Sequence, residues 1–292
     1  MKRSNIAMAI IINIGISVLE IIAGLLSSSL ALISDAMHNF SDVGSLALSW
    51  WGEKIKEKKP NKYKTYGYKR AEIIIAFVNA LVMVAVMIII LSESVKRLFH
   101  PVEVSGLTML FVGVIAFIGN GLATFLLGKD AHKNLNLKSA WLHSFQDSIY
   151  CLGIIFGSIL IYFFRWNFLD PIISILLSFV VLEEIYRLLK QSIDILMESV
   201  PKEIEFEKVK TALESFSGVK NAGDIHIWQT DSNSRYLSAH IEISDMDNRQ
   251  RNQLLCDMQK ILLESFNITH PTIQMVSVSE EEKRNFTCHH CN

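Results

Sequence analysis

Apolar residues dominate six stretches of this chain: 6–26, 30–51, 71–91, 107–127, 140–164 and 168–189. Each is close to the ~20 residues that a helix needs to cross the hydrocarbon core of a bilayer. A helix satisfies its own backbone hydrogen bonds, so such runs predict membrane helices. The link between the first two runs is only a few serines long, which predicts a helical hairpin. Pro101 and Pro171 fall at run ends, where helices tolerate proline. Asp170, just before Pro171, is expected to cap the sixth helix. The N-terminal run lacks a small-residue cleavage site and reads as a retained first helix.

Past residue 200 the pattern changes. Residues 203–216 have helical periodicity and stop at Ser217-Gly218. Residues 219–229 and 236–243 alternate apolar with polar around a TDSNS turn, the mark of a hairpin. An amphipathic helix over 248–266 and a strand over 272–278 follow. The expected architecture is an all-α six-helix transmembrane domain over residues 1–200 and a cytoplasmic α+β ferredoxin-like domain over 201–292.

Charge sets the expected topology. Eight basic residues, from Lys54 to Arg70, sit between the second and third runs, and Lys129, Lys133 and Lys138 between the fourth and fifth. Loops rich in lysine and arginine stay cytoplasmic. Both termini are therefore expected in the cytoplasm, in a bacterial inner membrane. The basic loop can meet anionic lipid or simply enforce topology. The last 92 residues hold 10 Lys/Arg against 14 Asp/Glu, and no basic face carries interleaved aromatics, so nucleic acid is not an expected partner. The four cysteines form no disulfide framework.

Ionisable groups inside a bilayer need a reason. His38 and Asp42 lie four residues apart in the second run, and His143 and Asp147 repeat that spacing in the fifth. Residues i and i+4 share one helix face. Two imidazoles and two carboxylates make one four-ligand metal site, and N/O ligands without a thiolate suit Zn²⁺ and similar divalent ions. The competing interpretation is that each pair bonds to neighbouring helices. Asp35 shares the face of His38 and Asp42, as an outer partner of the site, an entry ligand, or a group bonded to another helix or to water in the cavity. Glu20 and Asn120 read as interhelical hydrogen-bonding groups. A metal site must shed protons to bind metal, and histidine titrates near neutrality, so the chemistry accommodates exchange of zinc for protons.

The segments SLALISDAMHNFSD, YGYKRAE, NLNLKSAWLHSFQD, LDPIISILLS, ILMESVP, DIHIWQTDSNSRYLSAHIEI and HPTIQ resemble the cation diffusion facilitator family, its zinc-transporting branch in particular, from about Asn5 to Gln274. The resemblance implies a homodimer that exports divalent metal in exchange for protons, with His38, Asp42, His143 and Asp147 at the transport-site positions. It implies a charge pair, Arg70 with Glu198, linking the two parts of the chain. It also puts His240 and His270 at positions that bind zinc in the cytoplasmic domain. Gly223 departs from the family pattern, which often has a histidine there. Cys288 and Cys291, spaced C-x-x-C, are candidates for the missing ligands; the alternative is a tail that scavenges metal loosely. A membrane metal sensor and an intramembrane zinc enzyme are the competing functions. The second would want an open coordination position and a general base, and no H-E-x-x-H motif is present, so no enzyme activity is expected.

Overall fold

The computed structural model describes residues 3–56, 58–128 and 135–277; the side chains of 3–10, 42–43, 45–53, 56, 127 and 135–140 lie outside that description. Six long helices come first: α1 (Arg3–Ser27), α2 (Leu30–Lys56), α3 (Ala71–Phe99), α4 (Gly106–Gly128), α5 (Leu135–Phe164) and α6 (Leu169–Leu196). Then follow α7 (Phe206–Glu214), β1 (Val219–Gln229), β2 (Arg235–Ile243), α8 (Asn248–Phe266) and β3 (His270–Ser277). Of the described residues, those within Met1–Trp51 and Ile75–Leu189 form one compact unit. Those within Gly52–Ile74 and Lys190–Asn292 form a second, which takes in the α2–α3 connection.

In the helical unit large apolar side chains point outward. Phe111, Ile118 and Phe125 mark one stripe of α4, and Phe156 and Phe163 one of α5, all exposed at seven-residue spacing. Such faces belong in lipid rather than water. Among the described residues, three helical segments are long and apolar enough to cross a membrane: Ala71–Phe99, Gly106–Leu126 and Trp141–Phe164. Helix α6 is less apolar because it carries Glu183, Glu184 and Arg187.

The interior mixes apolar packing with hydroxyl contacts. Leu32, Met109, Ile154 and Ile161 are fully buried where α2, α4 and α5 meet. Ser174 of α6 bonds Ser34 of α2 at 2.9 Å and receives a bond from Ser94 of α3 at 3.0 Å. Helices α4 and α5 touch backbone to backbone. A Cβ on Gly106 would sit 2.7 Å from the Tyr162 nitrogen, so only glycine allows this approach.

The turn between α1 and α2 corrects one expectation. Asp170 does not cap its own helix, which begins at Leu169. Its carboxylate instead accepts from Ser29 Oγ at 2.6 Å and from the backbone N–H groups of Leu30 at 2.8 Å and Ala31 at 3.2 Å. Ser29 Oγ accepts in turn from the Leu32 N–H. Three of the four unsatisfied donors at the start of α2 are thereby met inside the protein. Asp170 lies on the first turn of α6, so the cap spans two helices.

In the second unit the sheet order is β1-β2-β3, with β1–β2 antiparallel and β2–β3 parallel. Helix α8 makes the crossover that a parallel pair requires. It starts with a capping box between Asp247 and Gln250 and ends at Asn267, in the left-handed conformation. In the hairpin turn, Asp231 Oδ1 accepts from the N–H groups of Asn233 and Ser234. Leu213, Leu237, Ile241, Ile243, Met258 and Leu262 form the buried core between helices and sheet. The α2–α3 connection is tied to this hairpin: Lys69 Nζ donates to Ser234 Oγ and Tyr236 Oη, each at 3.0 Å, and Ser232 donates to Glu72.

Candidate metal site

Helical spacing delivers His38 from α2 and both His143 and Asp147 from α5 to one buried point. One ligand atom from each lies within 4.8 Å of the others. His38 Nε2 is 3.5 Å from Asp147 Oδ1, and His143 Nε2 is 3.8 Å from Asp147 Oδ2. The two imidazole rings meet edge-on at 5.4 Å between centroids. His38 and Asp147 are nearly inaccessible, while His143 is about a third exposed. Both Asp147 oxygens are buried with no hydrogen-bond partner among the described residues. A carboxylate held this way calls for a cation. Asp42 lies on α2 one turn beyond His38; its side chain is outside the described residues.

Glu184 of α6 was not singled out by sequence. Its Oε2 lies 3.5 Å from His38 Nδ1, and its side chain is 34% exposed. A carboxylate beside the second ring nitrogen can orient a ligating imidazole and raise its basicity. The available signal is a pair of adjacent glutamates, Glu183-Glu184, within the sixth apolar run.

A second buried group stands close by. Glu20 of α1, Asp35 of α2 and Cys151 of α5 also bring one ligand atom each within 4.8 Å of the others. Asn39 Nδ2 donates to Glu20 Oε2 at 3.2 Å, and Asn120 Nδ2 to Cys151 Sγ at 3.5 Å. Both are the interhelical bonds expected of buried polar residues.

The cytoplasmic-type donors are arranged differently. His270 pairs with Tyr236 across β2–β3, whereas His240 pairs with Gln274. The two histidines are four rungs apart, about 13 Å at ~3.3 Å per residue, too far to share one ion. His240 Nδ1 lies 3.7 Å from Asp224 Oδ2, and His226 Nε2 lies 2.9 Å from Asp224 Oδ1. Asp224 sits at a bulge with φ +48°, and that kink brings it to both rings. His270 packs on the rings of Tyr66 and Tyr236. Cys288 and Cys291 lie outside the described residues. Arg70 Nη2 donates to Glu198 Oε1, joining the α2–α3 connection to the residues that follow α6.

Six long helices with lipid-suited faces and a buried cluster of metal-ligand side chains define a multi-pass membrane protein that handles metal cations. Residues 6–197 match the cation efflux transmembrane domain, and residues 201–277 match the cytoplasmic domain of cation efflux proteins. The chain belongs to the cation efflux family, whose members are transporters rather than enzymes. It is 34% identical over 289 residues to the cadmium, cobalt and zinc/H(+)-K(+) antiporter of Bacillus subtilis, covering 98% of this chain and 93% of that one. It is 34% identical to the metal cation efflux system protein CzcD of Cupriavidus metallidurans, covering 87% and 80%. It is 31% identical to the zinc transporter ZitB of Escherichia coli, covering 90% and 84%. The solved metal-bound C-terminal domain of the CzcD transporter aligns at 29% identity and TM-score 0.23, covering 25% of this chain and 99% of that one.

Proposed function

We propose that this protein exports Zn²⁺, with Cd²⁺ and Co²⁺ as further cargo, from a bacterial cytoplasm in exchange for protons. The cargo binds His38, Asp42, His143 and Asp147. The observation that carries this reading is the buried cluster of His38, His143 and Asp147, with both Asp147 oxygens buried and lacking hydrogen-bond partners among the described residues. Two of the donors are imidazoles, which bind metal only when neutral, so metal and protons compete for the same atoms. With the site open to the outside, protons displace the ion; with the site open to the cytoplasm, proton loss readmits metal. Glu184 orients His38 during this cycle. The protein acts as a homodimer with both termini in the cytoplasm, and its cytoplasmic domain also binds zinc, with His240 and Asp224 as its first candidates.

In proteoliposomes, zinc movement should follow an imposed pH gradient and vanish in Asp42→Ala. Zinc flux indifferent to the gradient, or undiminished in that variant, would overturn the assignment.

The Arg70–Glu198 pair is 38% and 60% exposed, so its contribution to stability is under about 1 kcal/mol. Its proposed role is positional: it holds the connection after α2 against the segment after α6, two links between the membrane and cytoplasmic parts. Arg70→Glu and Glu198→Arg should each lower zinc flux, and the double charge swap should restore most of it. A double variant as impaired as either single one would remove the role.

A further inference from the structure

We infer that Glu20, Asp35 and Cys151 form a second intramembrane cation site that takes thiophilic divalent ions such as Cd²⁺. This inference is independent of the role assigned to His38, Asp147 and their neighbours. Three helices supply the donors, and Glu20, Asp35 and Cys151 are 0%, 2% and 0% exposed. Cys151 Sγ lies 3.8 Å from Asp35 Oδ2. Asn39 holds Glu20 Oε2, and the Glu20 carboxyl also bonds to that of Asp35, a contact that needs a shared proton when no cation is there. The amide oxygens of Asn39 and Asn120, on the flanks of the cluster, are buried and lack partners among the described residues. Five polar groups that only partly satisfy one another are costly to hold inside a membrane. A cation bound among them removes that cost. Two carboxylates alone would suit a hard ion; the added sulfur shifts the preference toward zinc and softer metals.

The site also has a direction. Asp35 precedes His38 by three residues on α2, and Cys151 follows Asp147 by four on α5. The His38–Asp147 and Asp35–Cys151 approaches run in opposite sense along the two helices. The second cluster is therefore displaced by about one turn, roughly 5 Å, away from the lysine-rich α2–α3 connection. An ion released from the first cluster in that direction meets the thiol next. Cys151 thereby adds a soft ligand to the path while leaving the first site with nitrogen and oxygen donors only.

The test uses the full-length protein in lipid nanodiscs with Cys256, Cys288 and Cys291 replaced by serine, so that Cys151 is the sole thiol. Titration with CdCl₂ should produce the ultraviolet charge-transfer band of a cadmium–thiolate bond, saturating at one such bond per chain. The band should persist in His143→Ala and disappear in Cys151→Ala. Loss of even an outer partner costs a metal site about 10–100-fold in affinity. Glu20→Gln and Asp35→Asn should therefore each weaken cadmium binding by at least about tenfold. Size-exclusion elution and helical circular dichroism identify folded variants, and either carboxylate variant suffices if the other does not fold. Absence of the band overturns the inference. So does a band unaffected by the carboxylate variants, or one lost in His143→Ala, which would assign the thiol to the first cluster.

Discussion

Asp147→Asn should lower the initial rate of zinc flux by about 100-fold or more while leaving the protein folded and no less heat-stable. Asparagine keeps the volume and one oxygen but removes the charge. The native carboxylate is 1% exposed, lies between two imidazoles and has no hydrogen-bond donor on either oxygen among the described residues. Removing the charged partner of a buried cation costs about 3–5 kcal/mol of their interaction, or roughly 10²–10⁴-fold in binding. Where the imidazoles are neutral and no ion is bound, the same carboxylate is a buried charge in low dielectric, so neutralising it does not weaken the fold. Flux should thus fall without a loss of stability, as at sites built for function rather than for folding. Proteoliposome uptake and a melting curve in detergent measure the two. Near-normal flux in the folded variant would remove Asp147 from the transport site.

Asp170→Ala should have the largest effect on stability, lowering it by about 3–5 kcal/mol without touching either metal cluster. The carboxylate accepts three buried hydrogen bonds at the start of α2. Its removal leaves two backbone N–H groups and a hydroxyl without their acceptor, each at about 1–3 kcal/mol, partly offset by rearrangement. Asp170→Asn retains one acceptor oxygen and should fall between the two. Melting temperature in detergent and the yield of monodisperse protein report the loss. An alanine variant as stable as the native protein would show that Ser29 alone suffices as the cap.

The parts of this molecule legible in its sequence are those written in local spacing. The H-x-x-x-D pairs state that His143 and Asp147 share a face, because four residues make one helical turn. Alternation around TDSNS states that two strands turn back on each other. The parts that escaped depend on which distant elements meet. Asp170 looks like the cap of its own helix, yet it serves α2, 140 residues away in sequence. Cys151 counts as one more apolar residue until α1 and α2 bring Glu20 and Asp35 to it. Glu184 is half of a Glu183-Glu184 pair that carries no further mark in the sixth run until α2 places His38 beside it. His240 and His270 look like one ligand set by family position, and only the parallel register of β2 and β3 shows the four-rung gap between them. The α2–α3 connection likewise gives no local sign that Lys69 and Glu72 will fasten to the β1–β2 hairpin.

The glycine contact between α4 and α5 has a mechanical consequence. With the backbone of Gly106 lying directly against Tyr162, the two helices have no side-chain cushion at that point through which to slide. Close-packed interiors switch between discrete arrangements rather than deforming smoothly. A shift of α5 therefore drags α4 with it, and His143 and Asp147 ride on a two-helix beam. His38 stands on a different support, anchored at one end by Ser29 and Asp170. The jaws of the site are thus mounted on separate struts: the joint between them is the apolar packing of Leu32 with Met109, Ile154 and Ile161, whereas the serine contacts of α2 tie it to α6 instead.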